Sequence, residues 1–449
     1  MVNASVSELR ELSAAEIARA VNAGELGAAE VVGAHVEALS ELSQLNALIT
    51  GCPEQALRRA AEGVAGPLAG VPLLVKDLFD TARLRTTYGS KIYADYIPKQ
   101  TAAAITLLEN AGAIVIGKAN LHEFAWGTTS QNPHWGYVEN PARPGRVAGG
   151  SSGGNAAALA AHVSALGLGT DTAGSVRIPS ACCGTVGFKP PHGEVSLLGC
   201  LPLSPTFDVA GPMARTVADC ALAYSVLSRK SVPRPRIDGL VIGLLEHSPR
   251  MSPHEPGDVT AVHLESHLER QVEQLEALGA RVVVAALLEP EADVIPILLF
   301  EAAVAHRDTF PARRDEYGAD TRLKWDVARR VPAIDVYEAQ RVLPRWRERA
   351  RAEPPVDLFL SPTLGIEPPP IDVWEPDVRV QMVTNTRSFS FLGWPAIAIG
   401  DFQLAGRDDS TVLAAALAWE QAYGPPSIQR ADGGGDNEDS VPGRVVGAG

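Results

Sequence analysis

The sequence predicts an α/β fold, and three observations carry that prediction. First, helical patterns alternate with short apolar strands. TAAAITLLENAGA (101–113) runs into IVIG (114–117), and VTAVHLESHLERQVEQLEALGA (259–280) lies between LVIGLLE (240–246) and RVVVAALL (281–288). Helices that alternate with strands in this way cover a sheet. Second, 449 residues at 46% hydrophobic and 20% charged can bury a large core. Third, no linker composition interrupts residues 66–424, so one large domain is expected there.

The elements follow in order. Residues 1–65 read as an N-terminal helical segment that packs on the core. SAAEIARAVNAG (13–24) stops at Gly24, and ELGAAEVVGAHVEALSEL (25–42) repeats its apolar residues at the helical period. GVPLLVKD (70–77) is a short apolar strand. From 127 to 155 the chain is rich in Gly, Pro, Asn and Ser without any period, and a loop of that length inside a compact chain is a functional candidate. GGNAAALAAHV (153–163) is a helix of small residues, SALGLG (164–169) a buried strand and TDTAGS (170–175) a Gly-containing turn. DLFLSPT (357–363) reads as a strand. SFSFLGWPAIAIG (388–400) reads as a helix end and then a strand from Pro395, and STVLAAALAWEQAYG (410–424) as the closing helix. Residues 425–449 are acidic, Gly-rich and without apolar periodicity, so a disordered tail is expected.

Composition excludes several classes of function. A net charge of −14 argues against a nucleic-acid or anionic-membrane partner held by bulk charge. Five cysteines fit no disulfide framework, and the N-terminus carries no basic and apolar leader, so a cytoplasmic chain is expected. The longest apolar run, AAALAAHVSALGLG, carries a His and is too short to span a bilayer. His122-Glu123 would need a second His where Trp126 stands, and Cys182-Cys183 lacks a partner pair, so no metal site is expected. No Walker loop or dinucleotide fingerprint follows a strand, so no cofactor is expected either.

Three features can carry chemistry. Lys76 ends an apolar strand in a chain with seven Lys against 32 Arg. Desolvation lowers a lysine's pKa and makes it a candidate base, whereas a lysine at a strand end more often reaches out to water. The run Gly149-Gly150-Ser151-Ser152-Gly153-Gly154 lets backbone amides approach a substrate at a helix start; the alternative is an irregular turn capped by Ser152. Asp171-Thr172-Ala173-Gly174-Ser175 is a tight turn whose amides can face an oxyanion, with a Ser placed just after them. Gly149-x-Ser151-x-Gly153 also matches a hydrolase nucleophile elbow, but ARPGRVAGG before it is not a strand.

Together these segments resemble the amidase signature family. The likeness runs through GVPLLVKD, GAIVIGKANLHEFAWG (112–127), NPARPGRVAGGSSGGNAAALAA (140–161), GLGTDTAGSVRIPSACCGTVGFKP (167–190) and PLSPTFDVAGPMARTVAD (202–219). It is weaker in DVYEAQRVLPRWRERA, DLFLSPT and SFLGWPAIAI. The spacing of 24 residues from Ser151 to Ser175 is part of it. The resemblance implies one α/β/α domain, residues 66–424, around a large mixed sheet. It implies a Ser–cis-Ser–Lys triad of Ser175 as nucleophile, Ser151 as relay and Lys76 as base. It implies an oxyanion hole from the amides of Thr172, Ala173, Gly174 and Ser175. Ser152, Asp171 and Arg177 would steady the two loops.

Three departures stand out. Ala173 stands where many members have Gly. His192 and Glu194 replace a common Tyr and Arg near the site entrance. GWPAIAIGDFQLAG runs on almost without the usual hairpin insertion.

The expected reaction is therefore hydrolysis of a small carboxamide through a Ser acyl-enzyme, releasing an acid and ammonia or an amine. PLSPTFDVAGPMARTVAD resembles arylacetamide-type members, and Trp126 is a candidate wall of an aromatic or apolar pocket. The alternative is the A subunit of a glutamyl-tRNA amidotransferase, a glutaminase working with a partner. Those subunits usually read NMDEFAMGSS where this chain reads NLHEFAWGTT. An acyl-transferring biosynthetic amidase shares the same intermediate. The expected partner is the small amide itself; a homodimer is compatible with the sequence, and neither nucleic acid nor membrane is expected.

Overall fold

The computed structural model describes residues 5–245 and 265–426. The N-terminal segment forms helices α1 (Val6–Glu11), α2 (Ala14–Asn22), α3 (Ala28–Glu37), α4 (Leu39–Gln44) and α5 (Pro53–Ala61), with strand β1 (Leu48–Gly51) between the last two. Ser5 and Ser13 open their helices as capping boxes closed by Glu8 and Glu16. The expectation that residues 1–65 are helical throughout fails at β1. LITG is too short to show a period, and it becomes a strand because an unpaired sheet edge lies beside it.

Next come β2 (Pro72–Lys76), α6 (Ala103–Asn110), β3 (Ile114–Ala119), a small hairpin of β4 (Gln131–Asn132) and β5 (Gly136–Tyr137), α7 (Gly153–Ala160), β6 (Leu166–Asp171) and α8 (Arg177–Cys183). β7 (Val186–Lys189), β8 (Val209–Ala214) and α9 (Val217–Ser228) complete this half. The rest runs β9 (Val241–Leu245), α10 (Glu265–Ala277), β10 (Arg281–Ala285), α11 (Ile295–Ala305), α12 (Phe310–Arg313), α13 (Ala319–Ala328), α14 (Ala333–Ala352), β11 (Leu358–Pro362), α15 (Glu375–Val383), α16 (Arg387–Leu392), β12 (Ala396–Ile399), β13 (Phe402–Gly406) and α17 (Asp409–Tyr423).

Eleven strands make one mixed sheet in the order β1-β3-β2-β6-β8-β7-β12-β13-β11-β9-β10. The expected α/β architecture with a central mixed sheet is observed. Along β2, Leu73 and Val75 enter the core on one face of the sheet and Leu74 the core on the other, as strand alternation requires. The first core runs the length of the sheet. The opposite side is divided into two cores, one under the N-terminal half and one under the C-terminal half. Ala173 packs against both halves and so sits at their seam.

Sheet order places the site. β2 and β3 are parallel, as are β2 and β6, so the loops after Lys76, Ala119 and Asp171 leave the sheet at the same edge. A ligand crevice belongs outside the carboxyl ends of such strands. β8 runs antiparallel to β6 with Val209 opposite Asp171, so the residues just before β8 reach that edge too. The abbreviated hairpin read from GWPAIAIGDFQLAG is a tight turn from β12 to β13 through Gly400, at φ +59, and Asp401. The tail expected from residue 425 lies, after Pro426, outside the described residues.

Candidate active site

Lys76 is the last residue of β2 and is fully buried. Its Nζ lies 2.8 Å from Ser151 Oγ and 2.7 Å from Thr170 Oγ1. No carboxylate pairs with it among the described residues. Burial, opposed by Cys200, Asp171 and Asp208, pulls its pKa down to about 7. An amine in that position gives up its proton near neutrality, which suits a base and not a surface cation. Asp77 points the other way, to Lys118 at 3.4 Å and to Thr87.

Ser151 is held by a short, crowded loop. The Gly150–Ser151 peptide is cis, and Gly149 has φ +75. A Cβ on Gly150 would come 2.9 Å from the Gly127 carbonyl and the Ser130 amide, so only glycine lets the loop close on the strap at 127–130. The His122 amide donates to the Ser151 carbonyl at 3.2 Å, and the Gly153 amide to Ser130 Oγ at 3.0 Å. The Ser152 hydroxyl does not cap α7; it donates to the Thr170 carbonyl at 3.4 Å and ties the loop to β6.

Ser175 follows the end of β6 and is partly exposed. Its carbonyl accepts from the Ser152 amide at 3.3 Å, which joins the two loops through the backbone. No hydrogen bond links the Ser175 and Ser151 hydroxyls among the described residues. The structure thus joins Lys76 to Ser151 directly, and Ser175 to that pair through the main chain. None of the amides of Thr172, Ala173, Gly174 and Ser175 donates to another described group. Positive φ falls on Gly174, at +142, and not on Ala173. The departure at 173 is therefore accommodated without a left-handed alanine.

The turn is fixed at both ends. Asp171 receives Arg177 Nε at 3.0 Å and Nη2 at 3.1 Å; burial opposes its charge, but the guanidinium keeps its pKa below the ordinary value. Arg177 also donates to Gln403 and Ser390, which anchors α8 to β13 and α16. Thr386 Oγ1 donates to the Ala173 carbonyl at 2.6 Å. Trp126 is 7% exposed, with its ring edge-to-face on Trp325 at 4.3 Å. That is a packing position within an aromatic cluster. His192 Nε2 donates to the Pro205 carbonyl at 2.9 Å, and Glu194 pairs with Lys230 at 3.0 Å.

Sequence reasoning missed Thr170, Asp208 and Thr386. Thr170 stands one residue before the DTAGS turn, and its alternation with Asp171 is the available signal. Asp208 and Thr386 come from distant segments, and no local pattern marks them. A buried polar chain was missed as well: His122 Nε2 meets Asp320 at 2.7 Å, and Lys324 meets Asp320 at 3.0 Å and Glu375 at 2.8 Å. It secures the strap behind Ser151 to α13 and α15.

The amidase family profile matches residues 30–401. The chain belongs to the amidase family. It is 43% identical over 222 residues to the A subunit of the glutamyl-tRNA(Gln) amidotransferase from Alkalilimnicola ehrlichii, covering 48% of this chain and 46% of that one. It is 38% identical over 306 residues to the corresponding protein of Salinispora tropica, covering 62% and 61%. The chain thus matches about half to three fifths of the length of these relatives. A crystal structure of an amidase superposes with a TM-score of 0.79 at 30% identity, over 92% of this chain and 99% of that one. Among the described residues no helix is long and apolar enough to cross a membrane.

Proposed function

We propose that this chain is a serine amidase that hydrolyses a small carboxamide. The observation that carries the reading is the fully buried Lys76 amine, 2.8 Å from Ser151 Oγ, with hydroxyls and, among the described residues, no carboxylate as its partners. Neutral Lys76 accepts the Ser151 proton while Ser151 accepts that of Ser175, whose oxygen attacks the amide carbon. The free amides of the 172–175 turn receive the oxyanion. The C–N bond then breaks, and the leaving amine takes a proton back through Ser151. Water enters on the acyl-enzyme by the reverse relay and releases the acid. Asp171, Arg177 and Ser152 act by holding the two loops together.

The test is ammonia release from a panel of amides, with and without hydroxylamine, by the wild-type chain and by Ser175→Ala. Turnover by the first and none by the second, with hydroxamate formed in place of acid, supports the reading. Comparable turnover by both overturns it.

The likeness to amidotransferase A subunits favours a second reading, a glutaminase that acts with a partner. That reading requires the purified chain alone to be idle on the panel and on glutamine, and to become active on glutamine when a partner is added.

A further inference from the structure

We propose that Asp208 is a positioning residue for the oxyanion loop, acting through the Thr172 side chain; this rests on the amidase reading above. Asp208 lies just before β8, and Thr172 just after β6. Because Asp171 pairs with Val209 across these antiparallel strands, the two residues face each other one step beyond the ladder. Thr172 Oγ1 donates to Asp208 Oδ1 at 2.6 Å. The other carboxylate oxygen accepts from the Leu203 and Ser204 amides, each at 2.9 Å.

Three donors converge on one buried carboxylate, so the position calls for an acceptor-only group. An asparagine would turn an NH2 toward either the hydroxyl or the two amides, and a donor would then face a donor. The arrangement extends outward. Ser204 Oγ and Thr206 Oγ1 donate to Glu301 on α11, at 2.6 and 2.5 Å. The segment 203–208 is thus braced from α11 and in turn braces Thr172. On its other flank the turn is held by Thr386 through the Ala173 carbonyl. Between these supports, the amides of Thr172 to Ser175 point where no described group receives them. Catalytic donors must be fixed before charge develops on the substrate, and Asp208 meets that requirement for the first of them.

The experiment uses Asp208→Asn, Thr172→Val and Thr172→Ser on the panel amide that turns over fastest. It compares kcat, KM and the affinities for the boronic acid and the alcohol that share its acyl chain. The boronic acid forms a tetrahedral adduct on Ser175 and reports the oxyanion loop; the alcohol reports the ground-state pocket. Asp208→Asn and Thr172→Val are expected to lose about 10- to 100-fold in kcat and in boronate affinity, with KM and alcohol affinity held. Thr172→Ser keeps its hydroxyl and is expected near wild type. The double variant Asp208→Asn/Thr172→Val is expected to be no worse than the poorer single one, because both remove one contact.

A merely structural role would lower thermal stability and weaken boronate and alcohol alike, and that result overturns the proposal. Unchanged kcat in Thr172→Val overturns it too, even if Asp208→Asn fails to fold. A wild-type chain that turns over with Ser175→Ala equally active refutes the amidase reading itself, and this proposal with it; loss in Ser175→Ala with intact Asp208 and Thr172 variants refutes only the proposal.

Discussion

Two lysines lie fully buried on neighbouring strands, Lys76 at the end of β2 and Lys118 on β3. Lys118 faces a carboxylate, Asp77 at 3.4 Å, and also holds the Phe79 carbonyl and Thr86 Oγ1. Among the described residues Lys76 faces only the hydroxyls of Ser151 and Thr170. Burial lowers the pKa of both; the charge of Asp77 opposes the fall at Lys118 without cancelling it, while among the described residues no paired carboxylate opposes it at Lys76. The difference separates a structural cation from a group that can exchange its proton. A hydroxyl accommodates either form of the amine, whereas a buried carboxylate demands the charged one. One region stabilises the loop after β2, and the other is left free to work.

The largest expected effect separates these regions most sharply. Ser175→Ala is expected to lower kcat by more than about 10³-fold with the melting temperature nearly unchanged. Lys76→Arg is expected to lower kcat per titrated site as far but to melt at a lower temperature, because its buried guanidinium has no carboxylate partner among the described residues. Arginine keeps its proton and cannot serve as the base. A Lys76→Arg chain with substantial activity would make Lys76 a fixed charge and erase the contrast.

Lys118→Met is expected to show the opposite signature. It leaves Asp77 buried without its cation, at a cost of about 3–5 kcal/mol. Thermal melting checks this, while titration of Ser175 with an acylating inhibitor counts intact sites. Turnover per titrated site should stay near wild type, and a collapse of that quantity would bring Lys118 into the chemistry.

A smaller effect sharpens the account of Lys76. Its pKa of about 7 predicts an acid limb in kcat/KM with a midpoint there, the rate falling as the amine becomes charged at lower pH. A limb centred near an ordinary carboxylate value would point to a different base.

The same shift has a stability consequence. Between pH 7 and 10.5 the unfolded chain holds a proton on Lys76 that the folded chain has released. Stability attached to this residue therefore rises with pH across that window and is lost as pH falls through it. Lys76→Met should flatten the slope of unfolding free energy against pH by about 1.4 kcal/mol per unit. Urea unfolding at several pH values measures it, and an unchanged slope would mean that Lys76 stays charged in the fold.

Much of the site is legible in the residues. Gly149 and Gly174 mark backbone that needs glycine, and the structure uses both at positive φ. Lys76 is noticeable as a rare lysine closing an apolar strand. The parts that are not legible arise from pairing between distant segments. Leu48–Gly51 is a strand only because β3 offers an edge. The contact of Trp126 with Trp325 is not legible either, because α13 arrives from two hundred residues away. Ser152 reads as a possible helix cap and instead bonds to β6.

Local conformation is written in the residues themselves: which segments are helix or strand, and where the backbone must turn tightly. Those follow from side-chain period and glycine's freedom, which act over a few residues, whereas the roles of Ser151, Ser175 and Lys76 come from the resemblance of their motifs to the amidase signature family. What surrounds each group is settled only when the sheet assembles. Placing β2 beside β6 gives Lys76 the Thr170 hydroxyl as a partner. Running β8 antiparallel to β6 sets Asp208 opposite Thr172. Burial in the assembled sheet then lowers the pKa of Lys76 toward neutrality, because desolvation depends on everything packed around a charge and not on its neighbours along the chain.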